Sequence, residues 1–258
     1  MTPPVWPIKA PLMSSRAPWS AETTVQAGRS THPVRLGIDC YLWPISQLRP
    51  TQMAVGWREV AEKRRRGLGA APRSAPAVLG PKGVAYVLDR HHSLCARQQQ
   101  GEAVAAVHIV EDLQHLSPAA FWRRLDQRGW CRPYDALGQR RAFGDMPERL
   151  ADLGDDPFRS LASALRRLGG YRKSSGPFSE FRWADHLRAH IAPALLERDF
   201  ETAVGVALKL ARRPEAASLP GAFTGAGSRT RPGVRRDPAS RAARRRQDGT
   251  EITHAPTE

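Results

Sequence analysis

Residues 84–96 read VAYVLDRHHSLCA, and within them Asp89, Arg90, His91 and His92 place one carboxylate, one guanidinium and two imidazoles side by side. Residues 84–88 form an apolar run of strand length, rich in β-branched and aromatic side chains. Residues 93–100 hold neither Gly nor Pro and read as a helix closed by Gly101. Residues 104–110, VAAVHIV, read as a second strand. Strand, helix and strand with short joints predict a βαβ unit with a right-handed crossover. The four residues then fall where the strand ends and the helix begins, where unpaired backbone N–H groups and the positive end of the helix dipole face outward. That arrangement suits a phosphate, with or without a divalent metal. Each residue alone has a plainer explanation: Asp89 as an N-cap, Arg90 as a solvated charge, one imidazole as a core side chain. As a cluster at one junction they favour ligand contact.

The surrounding elements follow from periodicity and turn chemistry. Residues 38–42 look like a short strand, and Pro50 is expected to open a helical stretch in which Met53, Trp57, Val60 and Ala61 share the apolar face. Arg58, Glu59, Glu62 and Lys63 fall largely off that face. Residues 77–79, the turn Gly80-Pro81-Lys82-Gly83 and the run from Val84 predict a β-hairpin. Ser117 and Pro118 start a helix carrying Phe121, Trp122 and Leu125. The strongest helix signal is Asp156 as N-cap, Pro157 at the first position and Phe158, Leu161, Leu165 and Leu168 as the buried stripe. Further helices run from Pro177 through Ile191 and from about Leu195 to Leu210. The fold expected is α+β: a small mixed sheet with helices over 36–116, then a helical region over 117–211 packed on it. Residues 1–35 and a basic tail over 212–258 read as disordered.

The 258 residues carry a net charge of +15, which points to an acidic partner, a nucleotide or a nucleic acid. Three widely spaced cysteines make neither a CxxC metal site nor a disulfide framework, so a reducing, cytoplasmic setting is expected. Residues 1–19 are broken by Pro and lack the apolar segment of a signal peptide, and no run reaches membrane-spanning length. His186 and His190, four apart near Asp185, have a zinc-compatible spacing but no evident third ligand.

A hairpin leading into a short charged motif, a helix and a strand resembles the ParB/sulfiredoxin superfamily. The wider pattern resembles the ParB-like nucleases: LRPTQ, VG, EV and K within 48–63, then the Asp-Arg-His-His motif, then DDPFRSL, GGY and the block from Pro177 to Asp185. It covers roughly 38–191. The resemblance implies that the N-terminus of the motif helix holds nucleotide phosphates. Sulfiredoxin-like reduction is excluded, because Arg90 stands where that chemistry needs a thiolate and Cys95 lies further along the helix.

These readings define a phosphoryl-transfer hypothesis, with a nuclease or a nucleotide-dependent enzyme as its two forms. Arg90 neutralises phosphate, Asp89 holds a divalent metal such as Mg²⁺ or positions water, and His91 or His92 acts as general acid or base. Arg49, Gln52 and Lys63 supply further phosphate contacts, and Asp155, Asp156, Arg159, Tyr171 and Lys173 close over the site. The alternative is a non-catalytic nucleic-acid-binding or interaction module with a decayed site, drawing salt-sensitive affinity from its basic tail.

Overall fold

The computed structural model describes residues 32–67 and 74–223. Its architecture is α+β, a mixed sheet with helices followed by a helical region. Val34–Gly37 (β1) and Cys40–Pro44 (β2) form an antiparallel hairpin turned at Asp39, whose φ of 55° lies in the left-handed region that Asp tolerates. Two short strands follow, Arg49–Pro50 (β3) and Ala54–Val55 (β4), and then the helix Trp57–Arg66 (α1). Pro50 therefore sits in a strand rather than opening a helix. Its missing N–H is harmless there, because β3 is the last strand of the sheet.

Ala75–Leu79 (β5) and Ala85–Val87 (β6) make the expected hairpin, closed by Gly83 N–H donating to Gly80 O at 3.1 Å. Next come the motif helix His91–Gln99 (α2), the strand Val104–Asp112 (β7) and the helix Pro118–Gln127 (α3), capped by Ser117 Oγ. The six-stranded order is β1-β2-β7-β5-β6-β3. The expected parallel βαβ unit is thereby corrected. β5 is parallel to β7 and antiparallel to β6, so β6 and β7 run in opposite directions with β5 between them. The tight 80–83 turn folds β6 back on β5, and β5 takes the place beside β7.

Alternate residues send the sheet into two cores. Ala77, Ala85, Val87 and Val107 pack beneath α1 and α2 with Val60, Leu94 and Cys95. Val78, Leu113, Phe121, Leu125 and Trp130 fill the other face beneath α3.

The helical region begins with Gly154–Asp155 (β8) and Pro157–Arg167 (α4), the latter capped by Asp156 as expected. Ser179–His190 (α5), Pro193–Arg198 (α6) and Phe200–Leu210 (α7) complete it. The single helix expected over 195–210 is broken at Asp199, which accepts Thr202 N–H and caps α7. Leu161, Leu165, Trp183, Leu187 and Ala207 form the core of this region. β4 and β8 pair in parallel, Ala54 with Gly154 and Val55 with Asp155, so α1 and α4 start side by side.

Strand β1 begins at Val34, inside the segment expected to be disordered, and ordered chain continues past Arg212 to Phe223, where Pro220 O accepts the Trp183 Nε1–H. The remainder of both expected disordered segments lies outside the described residues.

Candidate functional site

The chain turns from β6 into α2 through Arg90, whose φ of 70° and ψ of 17° are left-handed. Asp89 Oδ1 accepts the Arg90 N–H at 2.6 Å. Asp89 is thus one residue too early to be the N-cap expected of it, and no side chain caps α2. The first-turn amides, those of 91–93, are left for a ligand or water.

His91 and His92 occupy that first turn, and both are buried, at 2% and 8% exposure. His91 Nε2 accepts the Thr51 N–H at 3.2 Å, while Thr51 Oγ1 donates to Val87 O at 2.8 Å. His92 Nε2 accepts the Gly56 N–H at 3.0 Å. Burial pushes both imidazoles down to a pKa of about 3, against the weaker opposing effects of a Val87 backbone bond on His91 and of Glu59 on His92. The 3.5 Å approach of His92 Nε2 to Glu59 Oε2 is therefore no ion pair, since this nitrogen is neutral and already an acceptor. The Nε2 of each ring, through which His91 or His92 would act as general acid or base, is engaged by a backbone N–H. Both rings are neutral acceptors that fix the 51–56 segment against α2.

A cavity of about 260 Å³ opens beside them. The sheet side contributes Gln52, Glu59, Lys63, Asp89, Arg90, His91, His92 and Ser93; the helical side contributes Arg159, Arg166, Lys173, Phe178, Glu180 and Phe181. Of the residues expected at the site, Gln52, Lys63 and all four motif residues share this cavity. Arg159 and Lys173 close it from the far side. Arg49 does not reach it: its guanidinium pairs with Glu148 at 3.0 Å in a separate groove with Lys82 and Arg149, because β3 points it to the outer edge. Asp155, Asp156 and Tyr171 are structural. Asp155 Oδ1 accepts the Trp57 N–H, Asp156 caps α4 and pairs with Arg188, and Tyr171 stacks on Trp183 while donating to Ala162 O.

Glu59 was legible only as a polar-face residue, yet it is 6% exposed and bonded at 2.6 Å to Arg159, itself 7% exposed. Burial alone would raise the Glu59 pKa, but the Arg159 guanidinium, helped by Lys63 at 3.4 Å, holds the carboxyl well below the usual range. Arg166 and Glu180, 3.3 Å apart, are a further pair in the cavity lining that the sequence did not announce. The i,i+4 spacing of Glu59 and Lys63 was the one available signal.

Among the described residues no three His, Cys, Asp or Glu side chains gather closely enough to hold a metal ion. Asp89 is an exposed carboxylate at the cavity. His186 and His190 stand with ring centroids 4.5 Å apart, without a third donor. No helix among the described residues is long and apolar enough to cross a membrane.

A family profile described as "Putative ParB-like nuclease" matches residues 42–189. The crystal structure of protein Atu1540 from Agrobacterium tumefaciens is 45% identical, with a TM-score of 0.69 over 71% of this chain and 97% of that one. The C-terminally truncated chromosome-partitioning protein ParB from Caulobacter crescentus, complexed with CTP-γ-S, matches at 12% identity and a TM-score of 0.25, over 69% of this chain and 96% of that one. Comparison with curated proteins gives no match.

Proposed function

The chain belongs to the ParB-like nuclease family, and from that premise we propose that the cavity binds the phosphate of a nucleotide or phosphodiester and directs its transfer or hydrolysis. The observation that carries this reading is the uncapped N-terminus of α2 opening into a cavity with Lys63, Arg90 and Arg159. Backbone amides, a helix dipole and cationic side chains are the recurrent means of holding a phosphoryl group and stabilising its transition state.

Asp89 is the group placed to act on the nucleophile. One of its oxygens is held by the Arg90 amide, which fixes the carboxylate. The other takes the proton of an attacking water or hydroxyl as its oxygen bonds to phosphorus; the leaving oxygen departs with the bonding pair and is protonated by solvent. Arg90, Lys63 and Arg159 neutralise the equatorial oxygens. His91 and His92 position this frame without exchanging protons.

Nucleic acid is the partner favoured for the phosphodiester form of the reaction. Arg64, Arg65 and Arg66 are exposed on the last turn of α1, directly after Lys63 at the cavity wall. A polyanion with one phosphate in the cavity would meet them next, and its binding would weaken steeply with salt.

The test is a thermal-shift and calorimetric titration with nucleotides and short oligonucleotides, comparing wild type, Arg90→Asn and Asp89→Asn. Wild type is expected to bind, Arg90→Asn to lose binding, and Asp89→Asn to bind without turnover. Equal binding by wild type and Arg90→Asn would remove the assignment.

A further inference from the structure

The cavity is lined mostly by charged and polar groups, and its accessible apolar surface comes down to one ring. Leu88, Phe178 and Phe181 are the apolar side chains in its lining. Leu88 is 2% exposed and belongs to the core beneath α3. Phe181 is 5% exposed, and the guanidinium carbons of Arg132 and Arg159 stand 4.7 Å and 5.2 Å from its ring centroid. Phe178 is only half-buried, so the ring that meets the open space is its own.

Local conformation works against a phenyl group at this position. Phe178 has φ 52° and ψ 26°, left-handed values that glycine takes readily and a bulky side chain seldom adopts. The turn itself asks only for the backbone: Phe178 O accepts the Phe181 N–H at 2.9 Å and the Arg182 N–H at 3.1 Å. Packing explains little of the choice, because the ring meets Phe181 edge-on with centroids 6.1 Å apart and stays partly open to solvent. Residues kept in such a backbone cluster at sites of ligand contact. The loop that carries the ring is also held at both ends. Arg172 N–H donates to Gly221 O at 2.8 Å, and Ser179 Oγ donates to Gly176 O at 2.7 Å. Gly221, at φ 73°, leaves no room for a Cβ, which would strike Arg172 O. A ring presented from a fixed base loses little freedom when it makes a contact.

Aromatic rings stack on unpaired bases, and every base offers a π-face. Phe178 comes from the helical side of the cavity, Lys63 and Arg90 from the sheet side. At about 260 Å³ the space is smaller than the roughly 300 Å³ of sites that enclose a whole small molecule, so what a bound phosphate carries rests at the rim. Resting on the phosphate-binding reading above, we propose that Phe178 is a specificity residue whose ring stacks on the base attached to the bound phosphate, which makes the substrate an unpaired nucleotide. The same contact discriminates against duplex, where a base is shielded within the stack.

The experiment is calorimetric titration of the full chain with deoxyribose phosphate and deoxyadenosine monophosphate, then with a short single-stranded oligonucleotide and its duplex, all at fixed ionic strength. Wild type should bind the nucleotide about fivefold or more tightly than the sugar phosphate, and the single strand more tightly than the duplex. Phe178→Gly suits the left-handed turn and removes the ring, so it should fold. It should hold the sugar phosphate within about twofold of wild type and lose the preference for the base. Phe178→Trp keeps a stacking surface and should keep the preference. A strand bound more tightly than the monophosphate assigns the base to a polymer, and the reverse order to a free nucleotide; either upholds the contact. A wild type that does not distinguish nucleotide from sugar phosphate, or a Phe178→Gly variant that still does, would overturn the stacking role and leave phosphate binding standing. Failure of wild type to bind either probe would overturn the phosphate reading itself, and the stacking role with it.

Discussion

Glu59 and Arg159 are each the third residue of their helices, α1 and α4, and they meet at 2.6 Å in the wall of the cavity. Their meeting follows from the strands that precede them. β4 and β8 pair in parallel with Val55 opposite Asp155, so the two helices leave the same small sheet in register. The ion pair is thus the point where the sheet lobe and the helical region share a side-chain bond inside the site.

Breaking this pair from one side should be costly. Glu59→Ala leaves a buried guanidinium and Arg159→Ala a buried carboxylate, each expected to lower stability by about 3–5 kcal/mol. Glu59→Met/Arg159→Met should lose much less than the sum of the single effects, since no charge is stranded. Urea unfolding of the single and double variants measures the coupling. Additive losses would mean that the two groups do not depend on each other.

Stability should fall with acid through His91 and His92. Both have a native pKa of about 3 against an ordinary 6.5, with burial as the main cause. Between those values the unfolded chain binds protons that the native chain refuses, so stability is full above about pH 6.5 and is lost as pH drops toward 3. Each imidazole contributes a slope of up to about 1.4 kcal/mol per pH unit. His91→Gln and His92→Gln keep an acceptor for the Thr51 and Gly56 amides while removing the titration. Denaturation from pH 7.5 to 4 should show a flatter dependence in either variant.

The parts of this architecture written in local signals were readable in advance. Asp156-Pro157 announces α4, Gly80 to Gly83 announces the hairpin, and the charged quartet after β6 lines the cavity. What could not be read depends on contacts distant in sequence. Strands of two residues, such as β4 and β8, carry no periodicity, so neither their register nor the Glu59–Arg159 pair was visible. Glu59 lies among Arg58, Glu62 and Lys63 and looks like solvated helix surface until α4 covers it. His91 and His92 are ionisable side chains next to a ligand-like motif; only the Thr51 and Gly56 amides folded against them show that their nitrogens are occupied. Arg49 was assigned to the site through the block it shares with Gln52, but alternation along the extended chain sends the two side chains apart.

Arg90 should separate stability from binding. Its left-handed backbone costs a non-glycine residue on the order of 1 kcal/mol, which Arg90→Gly relieves, while glycine's extra freedom in the unfolded chain takes part of that gain back. Thermal unfolding should therefore shift little or upward. Phosphate affinity should nevertheless drop by about tenfold or more with the loss of a charge-assisted contact. A variant that melts much earlier would show Arg90 to be a structural rather than a binding residue.

Gly56 should matter to the cavity although it presents no side chain there. A Cβ at this position would stand 2.3 Å from Ser160 Oγ and 2.7 Å from Ser160 N. The hydroxyl can rotate away, but the backbone nitrogen of α4 cannot. Gly56→Ala must push the start of α1 off α4, stretching the Gly56–His92 bond and the Glu59–Arg159 pair together. We expect a loss of about 1–3 kcal/mol in stability and weaker phosphate binding. Gly205 supplies the opposite control, since it lies within α7 with nothing within 4 Å of its added Cβ. Gly205→Ala should stabilise by about 0.5–1 kcal/mol through helix propensity and leave binding unchanged. If Gly56→Ala bound phosphate as wild type does, the close approach of α1 and α4 would not be what holds the site together.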